Sequence, residues 1–279
     1  MNSLIFAGSG HGGVVALKSL QEKFSSIEVI SEDREVLSLL RESDRKIGSF
    51  LDSSIELAIC AGYKSIIPKD ILEQKTIINT HPSLLPKYRG LHSLVWAMLN
   101  FEDKLGFTIH LMNEYIDDGD ILDQFTINYK NQTSYEIMQL FDRYIRENLG
   151  RVVKEFLEGK ITPTRQNREE ATWVAKRNID DCIIDFNMSN RYIDMLFKAL
   201  VRPYPLPIIK NNRLYEVNGY RLISRDYRAN IGQVVNIEDK SIYIKVREGL
   251  LVVEKLIDFK TKESYFANEI FKMGDRLCR

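Results

Sequence analysis

Asn79 and His81 stand two residues apart at the end of the apolar run Thr76-Ile77-Ile78, and Pro82 follows at once. In an extended strand, side chains two apart share a face. An amide donor and an imidazole therefore leave the end of one strand side by side. Pro82 halts the ladder, because it lacks an N–H and restricts the residue before it. The pair suits attack on an acyl carbon, one group stabilising the developing oxyanion while the other moves a proton. Taken alone, it reads equally as a capping amide and a hydrogen-bonded histidine at a strand end. The acid-rich turn Asp117-Asp118-Gly119-Asp120, following a strand-like segment that carries His110, favours chemistry. A carboxylate beside His81 would orient the imidazole and stabilise its protonated form. No serine or cysteine nucleophile motif is present, so the attacking amine comes from a substrate and no covalent acyl-enzyme is expected.

Several elements must hold these residues in place. Short apolar segments at residues 4–7, 27–30, 57–61 and 76–79 alternate with helical stretches, a pattern that predicts a parallel sheet covered by helices on both faces. A helix over residues 92–100 follows. Strands at 107–112 and 121–127 then flank the acidic turn. Thr133-Ser134-Tyr135-Glu136 has capping-box spacing. Behind it Ile137, Phe141, Tyr144, Ile145, Asn148, Val152 and Phe156 keep helical spacing up to Gly159. A first domain over 1–160, a polar linker over 161–180 and a second domain over 181–279 are expected. In the second, a helix near 190–200 and a Pro-rich turn precede short strands at 231–235, 241–246 and 250–256, suggesting a small β-barrel.

The chain has 279 residues, enough for two domains. Its formal charge is +0, from 39 basic and 39 acidic residues. Residues 1–164 hold 18 of the basic and 23 of the acidic residues, leaving 21 and 16 for the rest, so the halves carry −5 and +5. That asymmetry reads either as scatter between solvated surfaces or as a second half facing an anion. Cys60, Cys182 and Cys278 form neither a disulfide framework nor a zinc site, and no metal is expected. With no leader-like start and no apolar run long enough to span a bilayer, a cytoplasmic protein is expected.

Gly8-x-Gly10-x-x-Gly13, between a strand and a helix and with Glu32 after the second strand, matches the dinucleotide fingerprint. Glycines at a first strand-to-helix turn equally serve any α/β domain by permitting a tight turn and an anion near the helix N-terminus. Gly10 and His11 in this loop are candidate substrate contacts, with an exposed loop histidine as the plain alternative.

The block Asn79-x-His81-x-Ser83-Leu84-Leu85-Pro86, with Lys87-Tyr88-Arg89-Gly90, Gly106-x-Thr108-x-His110 and Asp117-x-Gly119-Asp120-Ile121-Leu122-x-Gln124, resembles the N10-formyltetrahydrofolate-dependent formyltransferases. The likeness runs from Leu57 to Gln124 in family order. It implies a Rossmann-like catalytic domain, a catalytic trio of Asn79, His81 and Asp117, and N10-formyltetrahydrofolate as co-substrate. A folate pocket around Ala61, Gly62, Tyr63, Ile66 and Tyr115 is implied as well. Ile184-Asp185-Phe186, Lys198-Ala199-Leu200-Val201-Arg202-Pro203-Tyr204-Pro205 and Gly232-Gln233-Val234 are similar to the OB-like domain of the tRNA and sugar enzymes. Only 78 residues precede Asn79, so an early strand–helix unit or loop is expected to be shortened.

No basic insertion of the kind that grips an acceptor stem is visible, and a near-neutral chain is a poor nucleic-acid binder. Arg89-Gly90-Leu91-His92-Ser93-Leu94-Val95-Trp96-Ala97 resembles the sugar-modifying members more than the tRNA enzyme. The expected acceptor is therefore a nucleotide-linked amino sugar, in a cytoplasmic homodimer serving surface-polysaccharide or O-antigen synthesis. Methionyl-tRNA formyltransferase is the alternative. Lys87 and Arg89 are candidates for the pyrophosphate or sugar side, or are solvated surface cations. Tyr88, Trp96 and Tyr204 could stack on a ligand or simply pack.

Overall fold

In the computed structural model, which describes residues 3–200 and 206–277, the first apolar run is strand β1 (Ser3–Gly8). Leu4, Ile5, Phe6 and Ala7 are all fully buried, as a strand covered on both faces requires. After it come α1 (Gly10–Gln21), β2 (Ser26–Ile30), α2 (Arg34–Leu37), β3 (Arg45–Lys46), β4 (Leu57–Ala61), α3 (Lys69–Gln74) and β5 (Thr76–His81). Then follow β6 (Arg89–Gly90), α4 (Ser93–Leu99), β7 (Lys104–Leu111), β8 (Ile121–Asn128), α5 (Ser134–Leu157) and β9 (Trp173–Val174). The connection from β2 to β4 is slight, its helix four residues long and its strand two.

Seven of these strands form one sheet in the order β3-β2-β1-β4-β5-β7-β8. The first five run parallel. β7 pairs antiparallel with β5, and β8 antiparallel with β7. One face packs Ile5, Ala7, Ala58, Cys60 and Ile77 under Ile47, Phe50, Ile67 and Ile71. α5 buries Phe141, Ile145, Leu149 and Val152, the spacing of an amphipathic helix. The Phe141 ring centroid lies 5.5 Å from that of Phe107, and Tyr144 stacks on Phe125 at 4.9 Å. Phe141 is 0% exposed. Phe141→Ala should therefore cost about 3–5 kcal/mol, read from the urea midpoint at constant slope.

The chain divides into two compact units, the first through Ala97 with Phe101–Lys130 and Glu136–Ala175, the second Met98–Asn100, Asn131–Tyr135 and from Lys176 onward. Of the stretch expected as linker, residues through Ala175 thus lie in the first unit. There β9 pairs with β6, and Thr164 exchanges two 2.8 Å backbone hydrogen bonds with Ile121. Residues 161–175 show no apolar periodicity because side chains and isolated bridges fix them rather than a buried face.

The second unit is β-rich. It holds α6 (Asn190–Ala199), β10 (Pro207–Lys210), β11 (Arg213–Ser224), β12 (Val234–Glu238), β13 (Ser241–Val246), β14 (Gly249–Asp258), β15 (Ser264–Phe266) and α7 (Ala267–Ile270). The sheet path is β10-β11-β14-β13-β12, with β15 on β14. Among the described residues no ladder joins β12 to β10, so the expected barrel is not closed there. These end strands, four and five residues long, each pair with one strand, and Val234 at the start of β12 also exchanges backbone hydrogen bonds with Gly274 and Asp275. Tyr204 and Cys278 lie outside the described residues.

Candidate active site

Pairing fixes the site before any side chain is considered. The antiparallel register of β5 on β7 sets Asn79 opposite His110 and His81 opposite Thr108. Opposed residues point to one face, and Asn79 Nδ2 lies 3.2 Å from His110 Nε2. Asp117 approaches from the turn after β7. Its Oδ1 is 3.4 Å from Asn79 Nδ2, its Oδ2 is 3.5 Å from His81 Nδ1, and Gly90 donates its N–H to Oδ2 at 2.8 Å. Asn79, His81 and Asp117 thus converge, with His110 as a fourth member. Among the described residues no group of three or more His, Cys, Asp or Glu could hold a metal ion.

The hydrogen-bond partners decide where the histidine protons sit. His110 Nδ1 donates to the Leu111 carbonyl at 2.7 Å, which leaves Nε2 to accept from the Asn79 amide. Burial pushes His110 down to about 4, outweighing the raising effect of Asp117, so it is neutral at pH 7. An unfolded histidine titrates near 6.5. The unfolded state therefore binds a proton that the folded state refuses, and stability falls as pH drops from about 6.5 to about 4. His110→Gln should flatten that part of the curve of urea midpoint against pH. His81 is placed differently: Nε2 donates to the Tyr88 carbonyl at 2.9 Å while Nδ1 faces the Asp117 carboxylate. Both ring nitrogens meet acceptors, so each has a place for a proton.

Thr108 and Gln124 hold the loop over residues 83–88. Thr108 Oγ1 donates to the Ser83 carbonyl at 2.6 Å and accepts the Leu85 N–H; Gln124 Nε2 donates to the Leu85 carbonyl at 2.8 Å. The Leu85-Pro86 peptide is cis. A cavity of about 430 Å³ lies against this loop, lined by Leu84, Leu85, Leu94, Leu105 and Gly106. None of the trio lines it, so it is not the reaction cleft.

Arg89 differs from expectation. It is 3% exposed, with Nη1 on Asp118 Oδ1 at 2.7 Å and Nη2 on Gln166 Oε1 at 2.6 Å. Its charge is held inside the protein, so it is not a cation offered to substrate. Gln166 Nε2 donates to the carbonyls of Asp117 and Gly119, and Arg168 donates to Asp118 Oδ2 at 2.6 Å. Burial would raise the Asp118 carboxyl, but the Arg168 hydrogen bond and the Arg89 charge outweigh it and hold it below 3.8. Gln166 and Arg168 were not legible as site residues, because their segment carries no motif and only its glutamine–arginine content hints at a polar clamp. Gly119 fits where nothing larger would, since a Cβ there would sit 1.9 Å from the Leu111 carbonyl oxygen.

Tyr88 donates to Glu102 at 2.8 Å and is mostly buried, and Lys87 faces the same carboxylate at 3.4 Å. Trp96 donates to the Ala175 carbonyl. At the ends of β1 and β4, Ser9 donates to the Gly62 carbonyl at 2.7 Å, latching the glycine loop to Ala61 and Gly62. Gly62 has φ +65°, and a Cβ there would meet the Ser9 carbonyl at 2.4 Å. Gly10 donates its N–H to Asp33 Oδ2 at 2.7 Å. An internal carboxylate thus takes the donor that a pyrophosphate would use. Glu32 pairs with Lys46, and the exposed His11 lies 2.6 Å from Asp142. Tyr63 packs edge-on against Phe50, whereas Ile66 is 91% exposed and Tyr115 59%, the latter beneath the Arg168 guanidinium. Cys60 is buried, its thiol pushed up to about 12 by desolvation. No helix among the described residues is long and apolar enough to cross a membrane.

Comparison with known proteins identifies the family. Residues 12–153 match the family described as Formyl transferase, and residues 178–273 match Formyl transferase, C-terminal domain. A methionyl-tRNA formyltransferase from Clostridium novyi is 29% identical over 78% of this chain and 71% of its own length. Among solved structures, HypX from Aquifex aeolicus superposes with a TM-score of 0.70 at 15% identity. The match covers 99% of this chain, which spans only 52% of HypX. An N-formyltransferase from Helicobacter canadensis, solved with folinic acid and dTDP-3-aminofucose, gives 0.70 at 18% identity over 91% of this chain and 98% of that one. The chain belongs to the formyl transferase family and is a formyl-transferring enzyme.

Proposed function

We propose that the enzyme moves the formyl group of N10-formyltetrahydrofolate to the amino group of a nucleotide-linked amino sugar. The observation that carries the chemistry is the convergence of Asn79 and His81 on Asp117 within 3.5 Å at the end of β5. The neutral amine attacks the formyl carbon. The oxyanion that forms accepts hydrogen bonds from the Asn79 amide and from His81 Nδ1, each of which now makes only a long contact with Asp117. Asp117 holds His81 and balances its charge. As the C–N10 bond breaks, the proton lost by the amine ends on N10, so the site returns to its starting charge. Ala61, Gly62, Tyr63, Ile66 and Tyr115 are the residues we assign to the folate, and Lys87 and His11 remain candidates on the nucleotide-sugar side.

A sugar acceptor is supported by the −5 charge of residues 1–164, which contain the trio, since gripping tRNA relies on cations against phosphates. Initiator-tRNA formylation is the second reading, favoured by the name of the Clostridium novyi relative. Incubation with N10-formyltetrahydrofolate and a panel of dTDP-, UDP- and GDP-amino sugars, with charged initiator tRNA alongside, separates the two. Formylated sugar is the expected product; formylated tRNA with no sugar product reverses the choice. The same reading includes an OB-like second unit and a cytoplasmic homodimer working in surface-polysaccharide synthesis. Sedimentation equilibrium tests the dimer.

A further inference from the structure

We infer that Gln166, with Arg89 behind it, is the positioning residue that aims the Asp117 carboxylate at His81. Asp117 has φ +51°, a left-handed conformation that aspartate tolerates better than most non-glycine residues but that its neighbours must still hold in place. Gln166 supplies that constraint. Its amide nitrogen donates to the carbonyls of residues 117 and 119 at 2.8 and 2.7 Å, bracketing the turn. Its amide oxygen accepts from Arg89 Nη2 at 2.6 Å. All three bonds thus go to this turn or to the guanidinium behind it. Gln166 is 5% exposed, so water offers these carbonyls little substitute. Arg89 fastens the far side of the turn through Asp118, and the next residue, Gly90, donates its N–H to the Asp117 carboxylate. The clamp thus holds both backbone and side chain of Asp117, and half of it comes from a segment outside the catalytic motifs.

The role rests on the proposed chemistry for its kinetic signature but not for its spectroscopic one. His81 is faced by Asp117 from the turn and by His110 from β7, ring centroids 6.5 Å apart, with Arg89 and Asp118 behind Asp117. Gln166→Met removes all three bonds at similar volume. The test is an NMR titration of the His81 imidazole in the full chain, in the parent, Gln166→Met, Asp117→Asn and the double variant. Removing the carboxylate charge lowers the His81 midpoint. Gln166→Met should lower it in the same direction, and should lower it no further in the Asp117→Asn background. In parallel, formyl transfer should lose on the order of 10²-fold in kcat, a typical cost of misplacing a catalytic group by about 1 Å. KM should stay within about threefold, and no added loss should appear in the double variant. An unmoved midpoint in Gln166→Met, or an equal fall in the Asp117→Asn background, overturns the inference. If the parent formylates nothing yet the midpoints behave as stated, the formylation reading fails and the positioning role stands. Should Gln166→Met not fold, Gln166→Asn, whose amide is one methylene shorter and cannot bracket both carbonyls while holding Arg89, carries the same comparison without a change of charge.

Discussion

His81→Ala is expected to lower kcat for formyl transfer by on the order of 10²–10³-fold, the typical cost of losing one oxyanion donor. The fold should survive, because the imidazole makes one strong hydrogen bond, to the Tyr88 carbonyl, and a lost buried bond costs about 1–3 kcal/mol. Asn79→Ala should cost a similar factor, and it also strips His110 Nε2 of its donor. Because the two groups serve one oxyanion, the double variant should fall well short of the product of the single losses. Steady-state rates against the preferred acceptor, with circular dichroism as the folding control, check all three variants. Near-normal turnover in His81→Ala would sink the assignment.

The same residues show how far a sequence can be read. A strand end carries its chemistry in the open: Asn79 and His81 share a face because strand period is two, and nothing distant alters that. His110 opposite Asn79 needed the antiparallel register of β5 on β7, which no local pattern prescribes. Arg89 lies within a legible motif yet resists local reading, since arginine burial depends on Asp118, 29 positions on, and on Gln166, 77 positions away. In the second unit the longest strand, β11, contains Asn218-Gly219, a pair that resembles a hairpin turn. Gly219 has φ +93°, but pairing with β14 resumes beyond it, from Asn218 on Lys255 to Tyr220 on Val253. Long-range pairing there overrides a local turn preference.

Asp118→Ala should cost about 3–5 kcal/mol of stability, as much as emptying the Phe141 site, because removing one partner of a buried pair strands the other. Asp118 and Arg89 side chains are each only 4% exposed, and their contact is 2.7 Å. Without Asp118 the guanidinium keeps the Gln166 hydrogen bond and the face of Trp173 at 5.7 Å, and among the described residues its Nε has no hydrogen-bond partner. Arg168 adds little to the cost, since it is 60% exposed and returns to solvent. By contrast, the exposed Arg151–Glu155 pair on α5 should be worth about 0.3–0.5 kcal/mol. The acid dependence follows from the Asp118 carboxyl, held below its ordinary 3.8. Its stabilisation is present above the unfolded value and is lost as pH falls through the folded one, so the gap between parent and Asp118→Ala should narrow in acid. The double variant Asp118→Ala/Arg89→Met should recover most of the loss, because no charge is then left buried alone. Urea midpoints of the parent, both single variants and the double, taken at pH 7, measure that coupling; strict additivity would show that burial of the pair is not what makes Asp118 costly to remove.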